Sequence, residues 1–223
     1  MPKYSEEELL ALARQAYRQG AASFSVTAEE CALLVIDMQN EFVKPYWAPY
    51  WIPEATRQIP KMRRLIEWCR LNRIPVIYTV FSNTHRFMDR PYTGSYMPNR
   101  FPDIEDHNPA WFQEVKVHDG LTPLAEEIVI PKPSYGAFYD TPLDTILRNM
   151  NKRAVIICGT LTNFCCGTTA RQAYERGYKV IFGSDVCATD DMDLQEAELM
   201  VLRKGFAKVL TSEDIMDRLA EGI

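Results

Sequence analysis

The chain has 223 residues, with 25 lysine and arginine residues against 30 aspartate and glutamate residues and a formal net charge of −5. This length predicts one α/β domain, or at most two small ones, with a substantial buried core. The acidic balance without any basic run argues against a nucleic-acid binder, and no apolar stretch is long enough to span a membrane. Because residues 1–25 do not resemble a signal peptide, we expect a soluble, cytoplasmic protein whose 6 cysteines are reduced.

The first predicted element is a helix that begins after Ser5. Ser5 and Glu8 form a capping-box pattern, and apolar residues follow at helical spacing up to Gly20. This helix precedes the first strand and has no place in a minimal α/β unit. We therefore predict a helical extension over residues 1–28 and one further domain over residues 29–223. The helix packs either across a neighbouring subunit or on its own domain, and the sequence leaves both interpretations open.

Six apolar stretches, separated by helical patterns, predict strands. They cover residues 31–37, 75–81, 127–132, 154–158, 179–183 and 207–210. The clearest helical patterns between and after them cover residues 57–70, 190–204 and 213–220. Strands that alternate with helices imply a parallel sheet covered on both faces. The predicted fold class is therefore α/β, a three-layer αβα sandwich around a six-stranded, mainly parallel sheet.

Three reactive side chains fall at or just beyond the carboxyl ends of predicted strands. They are Asp37, Lys132 and Cys165, on the first, third and fourth strands. In an open parallel sheet, ligands bind outside these ends, where the winding reverses. Each residue alone has an ordinary interpretation, as a turn cap, a solvated lysine or a packed cysteine. Their coincidence predicts that they converge on one crevice and favours catalysis.

Cys165 follows the strand that ends before Gly159, and it precedes a helical pattern. Asn163 occupies the position where the N-cap of that helix belongs, so Cys165 is predicted to lie in the first helical turn. Unpaired backbone N–H groups and the positive end of the helix dipole would then favour its thiolate form.

The sequence resembles a known family at these three positions. The stretch Gly159-Thr160-Leu161-Thr162-Asn163-Phe164-Cys165 resembles the nucleophile region of the isochorismatase-like cysteine hydrolases, which include nicotinamidases, N-carbamoylsarcosine amidase and ureidoacrylate amidohydrolases. Asp37-Met38-Gln39-Asn40-Glu41-Phe42 is similar to the first motif of this family. Lys132-Pro133-Ser134-Tyr135 is similar to its ureidoacrylate-hydrolase branch. The resemblance implies an isochorismatase-like hydrolase domain with a Rossmann-like strand order, in a homodimer or homotetramer.

The resemblance also implies a catalytic role for each matched residue. Asp37 is the expected general base, Lys132 the catalytic lysine and Cys165 the nucleophile. The backbone N–H groups of Leu161 and Cys165 are the expected oxyanion hole, with a cis peptide bond between Thr160 and Leu161.

The nucleophilic cysteine points to hydrolysis of an amide or ureide through a thioester. Family members that open the vinyl ether of isochorismate lack this cysteine. A ureido or N-carbamoyl compound is the favoured substrate, and an aryl amide is the alternative. A non-enzymatic binding homologue and a thiol redox protein that uses Cys165 and Cys166 are the rival interpretations from other classes.

Candidate substrate contacts lie around these motifs. A stiff aromatic loop follows the first motif and suits either the walls of a pocket or a subunit contact. Nicotinamidases place an Asp-x-His metal motif after the second strand, whereas residues 82–86 hold a single histidine, so we predict no metal and no cofactor. The long loop over residues 82–101 favours a lid or a binding role. The predicted substrate contacts are Gln39, Phe42, Trp47, Tyr50, His85, Arg86, Tyr135 and Phe138.

Overall fold

The computed structural model describes residues 3–91 and 111–221. Its centre is a six-stranded sheet with every neighbouring pair parallel, in the order β3-β2-β1-β4-β5-β6. The strands are β1 (Cys31–Ile36), β2 (Val76–Phe81), β3 (Ile128–Lys132), β4 (Ala154–Thr160), β5 (Lys179–Ala188) and β6 (Lys208–Leu210). The predicted α/β fold with a six-stranded parallel sheet is confirmed. The predicted ends of β4 and β5 fall too early, because both strands continue past their glycines.

Helices cover both faces of the sheet. They are α1 (Glu6–Gln19), α2 (Asn40–Val43), α3 (Pro53–Leu71), α4 (Leu143–Asn149), α5 (Gly167–Glu175), α6 (Met192–Gly205) and α7 (Ser212–Glu221). Apolar side chains of α3 and α7 fill one core cluster, and those of α4, α5 and α6 fill the other. None of the helices in the described part of the chain combines the length and apolarity needed to cross a bilayer.

The central strand β1 contributes side chains to both core clusters. Leu33 and Val35 belong to the cluster under α3, whereas Leu34 and Ile36 belong to the cluster under α5. Successive side chains of a strand point to opposite faces, so a strand covered on both faces must be apolar at every position. This requirement explains the uninterrupted apolar run that predicted the strand.

The N-terminal helix α1 has the predicted cap and lies on its own domain. Ser5 Oγ accepts a hydrogen bond from the Glu8 backbone N–H, and the Glu8 carboxylate accepts one from the Ser5 backbone N–H. The helix packs against α6, where the Lys204 ammonium lies 3.9 Å from the centroid of the Tyr17 ring. No residue of α1 is buried, and Leu9, Leu10 and Leu12 are about half exposed. Contact of this leucine face with another subunit stays a prediction.

The winding of the sheet reverses between β1 and β4. From this point β2 and β3 continue to one side, and β5 and β6 continue to the other. Gly159 brings the two central strands together at their carboxyl ends, since its φ is 131° and a Cβ atom there would overlap the Ile36 carbonyl oxygen. Only glycine fits such a position. The segment that carries Cys165 therefore begins directly beside the segment that carries Asp37.

Candidate active site

Asp37 directly follows β1 and is fully buried. Its φ of 51° turns the chain away from the strand direction, in a region that few residues other than glycine adopt. Its backbone N–H donates to the Thr79 carbonyl at 3.1 Å, and the Thr79 hydroxyl donates to Asp37 Oδ1 at 2.7 Å. Thr79 on β2 thus holds one carboxylate oxygen and leaves Oδ2 for another partner.

That partner is Lys132, the last residue of β3. Strand β2 lies between β3 and β1, so the lysine side chain crosses above β2 to reach the carboxylate. Lys132 Nζ lies 2.6 Å from Asp37 Oδ2 and donates to the Ser134 carbonyl at 2.8 Å. It also lies 5.3 Å from the centroid of the Phe81 ring. The ion pair is fully buried at both residues.

Cys165 lies in a π-helical turn, Thr162–Cys166, between β4 and α5. The Cys166 backbone N–H donates to the Leu161 carbonyl, five residues back along the chain, at 3.0 Å. The prediction of Cys165 in the first α-helical turn is wrong, because α5 begins only at Gly167. Asn163 is not the cap, since its side-chain oxygen accepts a hydrogen bond from the Thr189 hydroxyl at 2.7 Å. Single π-turns of this kind occur often at functional sites.

The thiol of Cys165 interacts with both members of the ion pair. Burial works to lower the pKa of Lys132, but the charge of Asp37 and hydrogen bonds to Asp37 and Cys165 raise it above its ordinary value. Burial raises the pKa of the Cys165 thiol well above its ordinary value, Lys132 opposes that rise, and Asp37 adds to it. The raised pKa favours a neutral thiol beside the Lys132–Asp37 ion pair. The predicted thiolate depended on the first α-helical turn, which Cys165 does not occupy.

The turn that carries Cys165 is braced by Thr169 of α5. The Thr169 hydroxyl donates to the Cys165 carbonyl at 2.6 Å and accepts from the Ala137 backbone N–H at 3.0 Å. Thr169 is fully buried. It ties the nucleophile turn to the segment that follows Lys132, and so fixes two parts of the site relative to each other.

The peptide bond between Thr160 and Leu161 is cis, as the resemblance predicted. The Leu161 carbonyl accepts hydrogen bonds from the backbone N–H groups of Phe164 and Cys166, at 3.2 and 3.0 Å. Leu161 and Cys165 therefore belong to one short, closed segment at the carboxyl end of β4. Their joint role as an oxyanion hole stays a prediction.

Two predicted substrate contacts have structural roles in the folded chain. Gln39 is fully buried, and its Nε2 donates to the Glu41 carboxylate and to the Phe81 carbonyl, each at 3.0 Å. Its Oε1 accepts from the Phe81 backbone N–H at 2.7 Å, so the amide clamps the carboxyl ends of β1 and β2. Phe42 is fully buried and packs against the Phe81 and Phe112 rings. These contacts give both side chains a structural role, and their contact with a substrate stays a prediction.

Three other predicted contacts are aromatic residues with distinct surroundings. Tyr50 is buried, and its ring packs edge-on against Trp111. Trp47 is 41% exposed, beside the Lys44 ammonium. Phe138 packs against Tyr178, which directly precedes β5 at the amino end of the sheet. The prediction of Phe138 as a pocket residue is therefore wrong, because the active-site candidates lie at the carboxyl end.

His85 and Arg86 are exposed, and both have positive φ angles. His85 Nδ1 lies 2.9 Å from Asp89 Oδ2, and a hydrogen bond to Asp89 raises the pKa of His85. Among residues 3–91 and 111–221, no three His, Cys, Asp or Glu side chains are grouped to hold a metal ion. Half of the predicted lid, residues 92–101, lies outside the described residues.

A row of aromatic rings leads from the ion pair to the surface. The Tyr135 ring stacks on Phe81, with centroids 6.5 Å apart and an 18° angle between the planes. The Phe164 ring follows, 5.4 Å from Tyr135, and is 44% exposed. Tyr135 therefore lies where a substrate contact was predicted. Phe164 was missed, although its position next to Cys165 in the sequence was a sufficient signal.

Arg90 is a buried cation at the site that sequence reasoning also missed. Its guanidinium carbon lies 4.4 Å from the centroid of the Phe81 ring, and its Nε donates to the Pro133 carbonyl. The Phe81 ring thus contacts two cations, Arg90 and Lys132. The sequence held no signal to prefer Arg90 over Arg86 in the same polar loop.

Comparisons with known proteins agree with this geometry. The family model described as "Isochorismatase domain" matches residues 31–214. Nicotinamidase 3 from Arabidopsis thaliana is 32% identical over 188 residues, covering 82% of this chain and 86% of that protein. Ureidoacrylate amidohydrolase RutB from Azorhizobium caulinodans is 28% identical over 219 residues, covering 88% of this chain and 93% of that protein. The crystal structure of a cysteine hydrolase from Pseudomonas syringae pv. phaseolicola superposes with a TM-score of 0.78 and 27% identity, covering 89% of this chain and 96% of that chain. Since the family model matches most of its length, the chain belongs to the isochorismatase family and is a hydrolase.

Proposed function

We propose that the protein is a cysteine-dependent amidohydrolase that cleaves the C–N bond of a small ureido or N-carbamoyl compound. The observation that carries this proposal is the Cys165 thiol beside the buried Asp37–Lys132 ion pair, at the point where the winding of the sheet reverses. Titratable groups with strongly shifted pKa values and specific charge partners are typical of catalytic sites.

Acylation begins with transfer of the thiol proton from Cys165 to Asp37 while the sulfur attacks the substrate carbonyl carbon. The Lys132 ammonium stabilises the negative charge that develops on sulfur. It acts in a buried site, where charge interactions are stronger than in water. Because the pKa of the free thiol is raised, deprotonation accompanies attack and does not precede substrate binding.

The tetrahedral intermediate needs donors for its oxyanion. In this proposal the backbone N–H groups of Leu161 and Cys165 supply them. Protonated Asp37 then passes its proton to the departing nitrogen, which leaves as ammonia or an amine. The same carboxylate next activates a water molecule that hydrolyses the thioester and frees Cys165.

Two observations support a ureido or N-carbamoyl substrate. One relative of similar length is named ureidoacrylate amidohydrolase. In addition, the buried Arg90 guanidinium contacts the same Phe81 ring as Lys132 does, and a planar guanidinium suits pairing with a carboxylate. We therefore favour a substrate that carries an acidic group besides its scissile amide.

An aryl amide is the second candidate substrate. The aromatic row of Phe81, Tyr135 and Phe164 offers a stacking surface for a flat ring. The relative with 32% identity is named a nicotinamidase.

Ammonia release from a panel of ureido acids, N-carbamoyl amino acids and aryl amides tests the proposal. Cys165→Ala is expected to abolish release, whereas Cys166→Ala, which removes a buried thiol from the same turn, is expected to retain it. Loss of activity in Cys166→Ala alone would mean that the other sulfur is the nucleophile. No release from any compound would favour a non-enzymatic binding protein.

We also infer a homo-oligomer. The half-exposed face of Leu9, Leu10 and Leu12 on α1 is the surface that a second copy would cover. Light scattering of the wild-type chain and of Leu9→Gln/Leu12→Gln tests this assignment.

A further inference from the structure

A basic groove of about 300 Å³ opens away from the proposed active site, beside the edge strand β6. Four of its lining residues are cations, and none is acidic. They are Arg18 of α1, Arg203 of α6, Lys208 of β6 and Arg218 of α7. A local excess of positive charge is unexpected in a chain whose net charge is −5.

The three guanidinium groups of this groove have no protein partner in the described ranges. The side chains of Arg18, Arg203 and Arg218 form no hydrogen bond or ion pair with residues 3–91 or 111–221. Lys208 differs, because its ammonium donates to the Phe24 carbonyl and lies 4.9 Å from the centroid of the Phe24 ring. Partial burial and the charge of Arg218 together lower the pKa of Lys208. Lys208 and Arg218 are therefore close enough to repel each other.

The groove depends on a close approach of two helix ends. Gly20 follows α1 with a φ of 79°, and a Cβ atom there would lie 3.0 Å from both Cγ and the carbonyl oxygen of Arg203. The absence of a side chain lets the end of α1 lie directly on the last turn of α6. Arg18 and Arg203, which are distant in sequence, are thereby placed in one groove.

Helix dipoles offset only part of this charge. Arg18, Arg203 and Arg218 lie in the last turns of their helices, where the backbone carries a partial negative charge of about −0.5 per helix. Three helix ends therefore offset roughly one and a half of the four positive charges, which leaves an excess of about two or more. Capping alone does not account for a cluster of this size.

We infer that this groove is a binding site for a multiply charged anion of the phosphate class. Arginine matches phosphate oxygens with paired hydrogen bonds, and three guanidinium groups with no partner in the described residues line one groove. A divalent or more highly charged anion neutralises the excess charge that the helix ends leave. The residues of this groove are separate from Asp37, Lys132 and Cys165, so the inference does not depend on the proposed reaction.

Calorimetric titration with inorganic pyrophosphate at low, constant ionic strength tests the inference. We expect saturable binding of one pyrophosphate per chain. Arg203→Gln and Arg218→Gln are each expected to weaken binding about tenfold, the loss typical of one charge-assisted contact. Arg14→Gln is the matched control, because it removes the same charge from an exposed position of α1 outside the groove, and it is expected to bind as the wild type does.

Three results would overturn the inference. The first is no binding to the wild-type chain. The second is equal weakening by all three variants, which would indicate a general charge effect. The third is a change of oligomeric state in Arg203→Gln or Arg218→Gln without pyrophosphate binding to the wild type, which would assign the groove to a protein contact. Circular dichroism of each variant ensures that a loss of binding is not a loss of fold.

Discussion

The ammonium of Lys132 lies 2.6 Å from the carboxylate of Asp37, although strand β2 separates the strands that carry them. Both side chains are fully buried. Attraction in a buried pair often fails to offset the cost of removing two charges from water. A pair of this kind is therefore weak support for stability, and its position beside a thiol favours a chemical role.

The first prediction separates the stability of this pair from its role in hydrolysis. Asp37→Asn leaves a buried ammonium without its counter-charge, so it is expected to lower the free energy of unfolding by about 3–5 kcal/mol. Asp37→Asn/Lys132→Met removes both charges and is expected to recover most of that loss. Neither variant has the proton acceptor, so ammonia release is expected to fall at least about a hundredfold in both. Urea unfolding and the ammonia assay measure the two effects, and recovery of activity in the double variant would contradict the assigned role of Asp37.

The second prediction concerns the reactivity of the Cys165 thiol in the free protein. Its pKa is raised by burial and by Asp37, and Lys132 opposes the rise. The thiol is therefore neutral below its raised pKa, and alkylation is expected to accelerate as the pH rises towards that value. At neutral pH, Asp37→Asn is expected to speed alkylation and Lys132→Met to slow it, although both variants lose hydrolysis.

Quantification of the alkylated Cys165 peptide by mass spectrometry measures these rates. The Cys165→Ala protein defines the background from the other buried cysteines. Slower alkylation in Asp37→Asn would contradict this prediction and would show that the role of Asp37 as proton acceptor outweighs the effect of its charge on the thiol pKa.

The third prediction tests the contact between the two central strands. Gly159→Ala places a methyl group on the Ile36 carbonyl oxygen and forces an unfavourable φ, so we expect a loss of about 3 kcal/mol or more in unfolding free energy. Gly177→Ala is the matched control, since Gly177 also has a positive φ, of 83°, but no atom within 4 Å of the added carbon. It is expected to cost only about 1–2 kcal/mol. Equal losses in urea unfolding would mean that φ alone, and not the strand contact, requires glycine at position 159.

The fourth prediction tests the carboxylate preference assigned to Arg90. Arg90→Gln is expected to raise KM for ureido or N-carbamoyl acids by about tenfold or more, the loss of a paired charge-assisted contact. KM for a neutral aryl amide is expected to change little. Arg64→Gln, at an exposed position of α3 outside the predicted contacts, serves as the control. Steady-state kinetics on both substrate types distinguishes a specificity role from a general loss of structure, which would affect both equally.

The sheet and the convergence of the site were predictable because they follow from simple patterns. Apolar runs such as that of β1 must be covered on both faces, and parallel strands place their carboxyl ends on one edge. Asp37 and Lys132 follow from that rule, since each marks a point where an apolar run stops. Their side chains meet above β2 because β2 lies between β1 and β3. The family resemblance, and not the apolar pattern, predicted that strand order.

Local geometry around the site was less predictable. The π-turn at Thr162–Cys166 delays the start of α5, and no residue type marks such a turn. Tyr135 and Phe138 are three residues apart in the sequence. The Tyr135 ring nevertheless packs against Phe81, whereas the Phe138 ring packs against Tyr178. The turns between them decide which ring reaches the site, and the sequence pattern does not specify those turns. The burial of Arg90 depends on contacts from Phe81 and Pro133, which only the folded chain brings together.

Lys132 is the terminal residue of β3, and β3 is the outermost strand on its side of the sheet. An outermost strand is held by one neighbour only, so it can detach at a lower free energy than the strands inside. Its detachment would withdraw the ammonium while Asp37 and Cys165 stay in place just beyond the ends of β1 and β4. On warming or in mild denaturant, the rate of hydrolysis should therefore fall before the spectroscopic signal of the folded domain does. The lost activity should return at once on cooling.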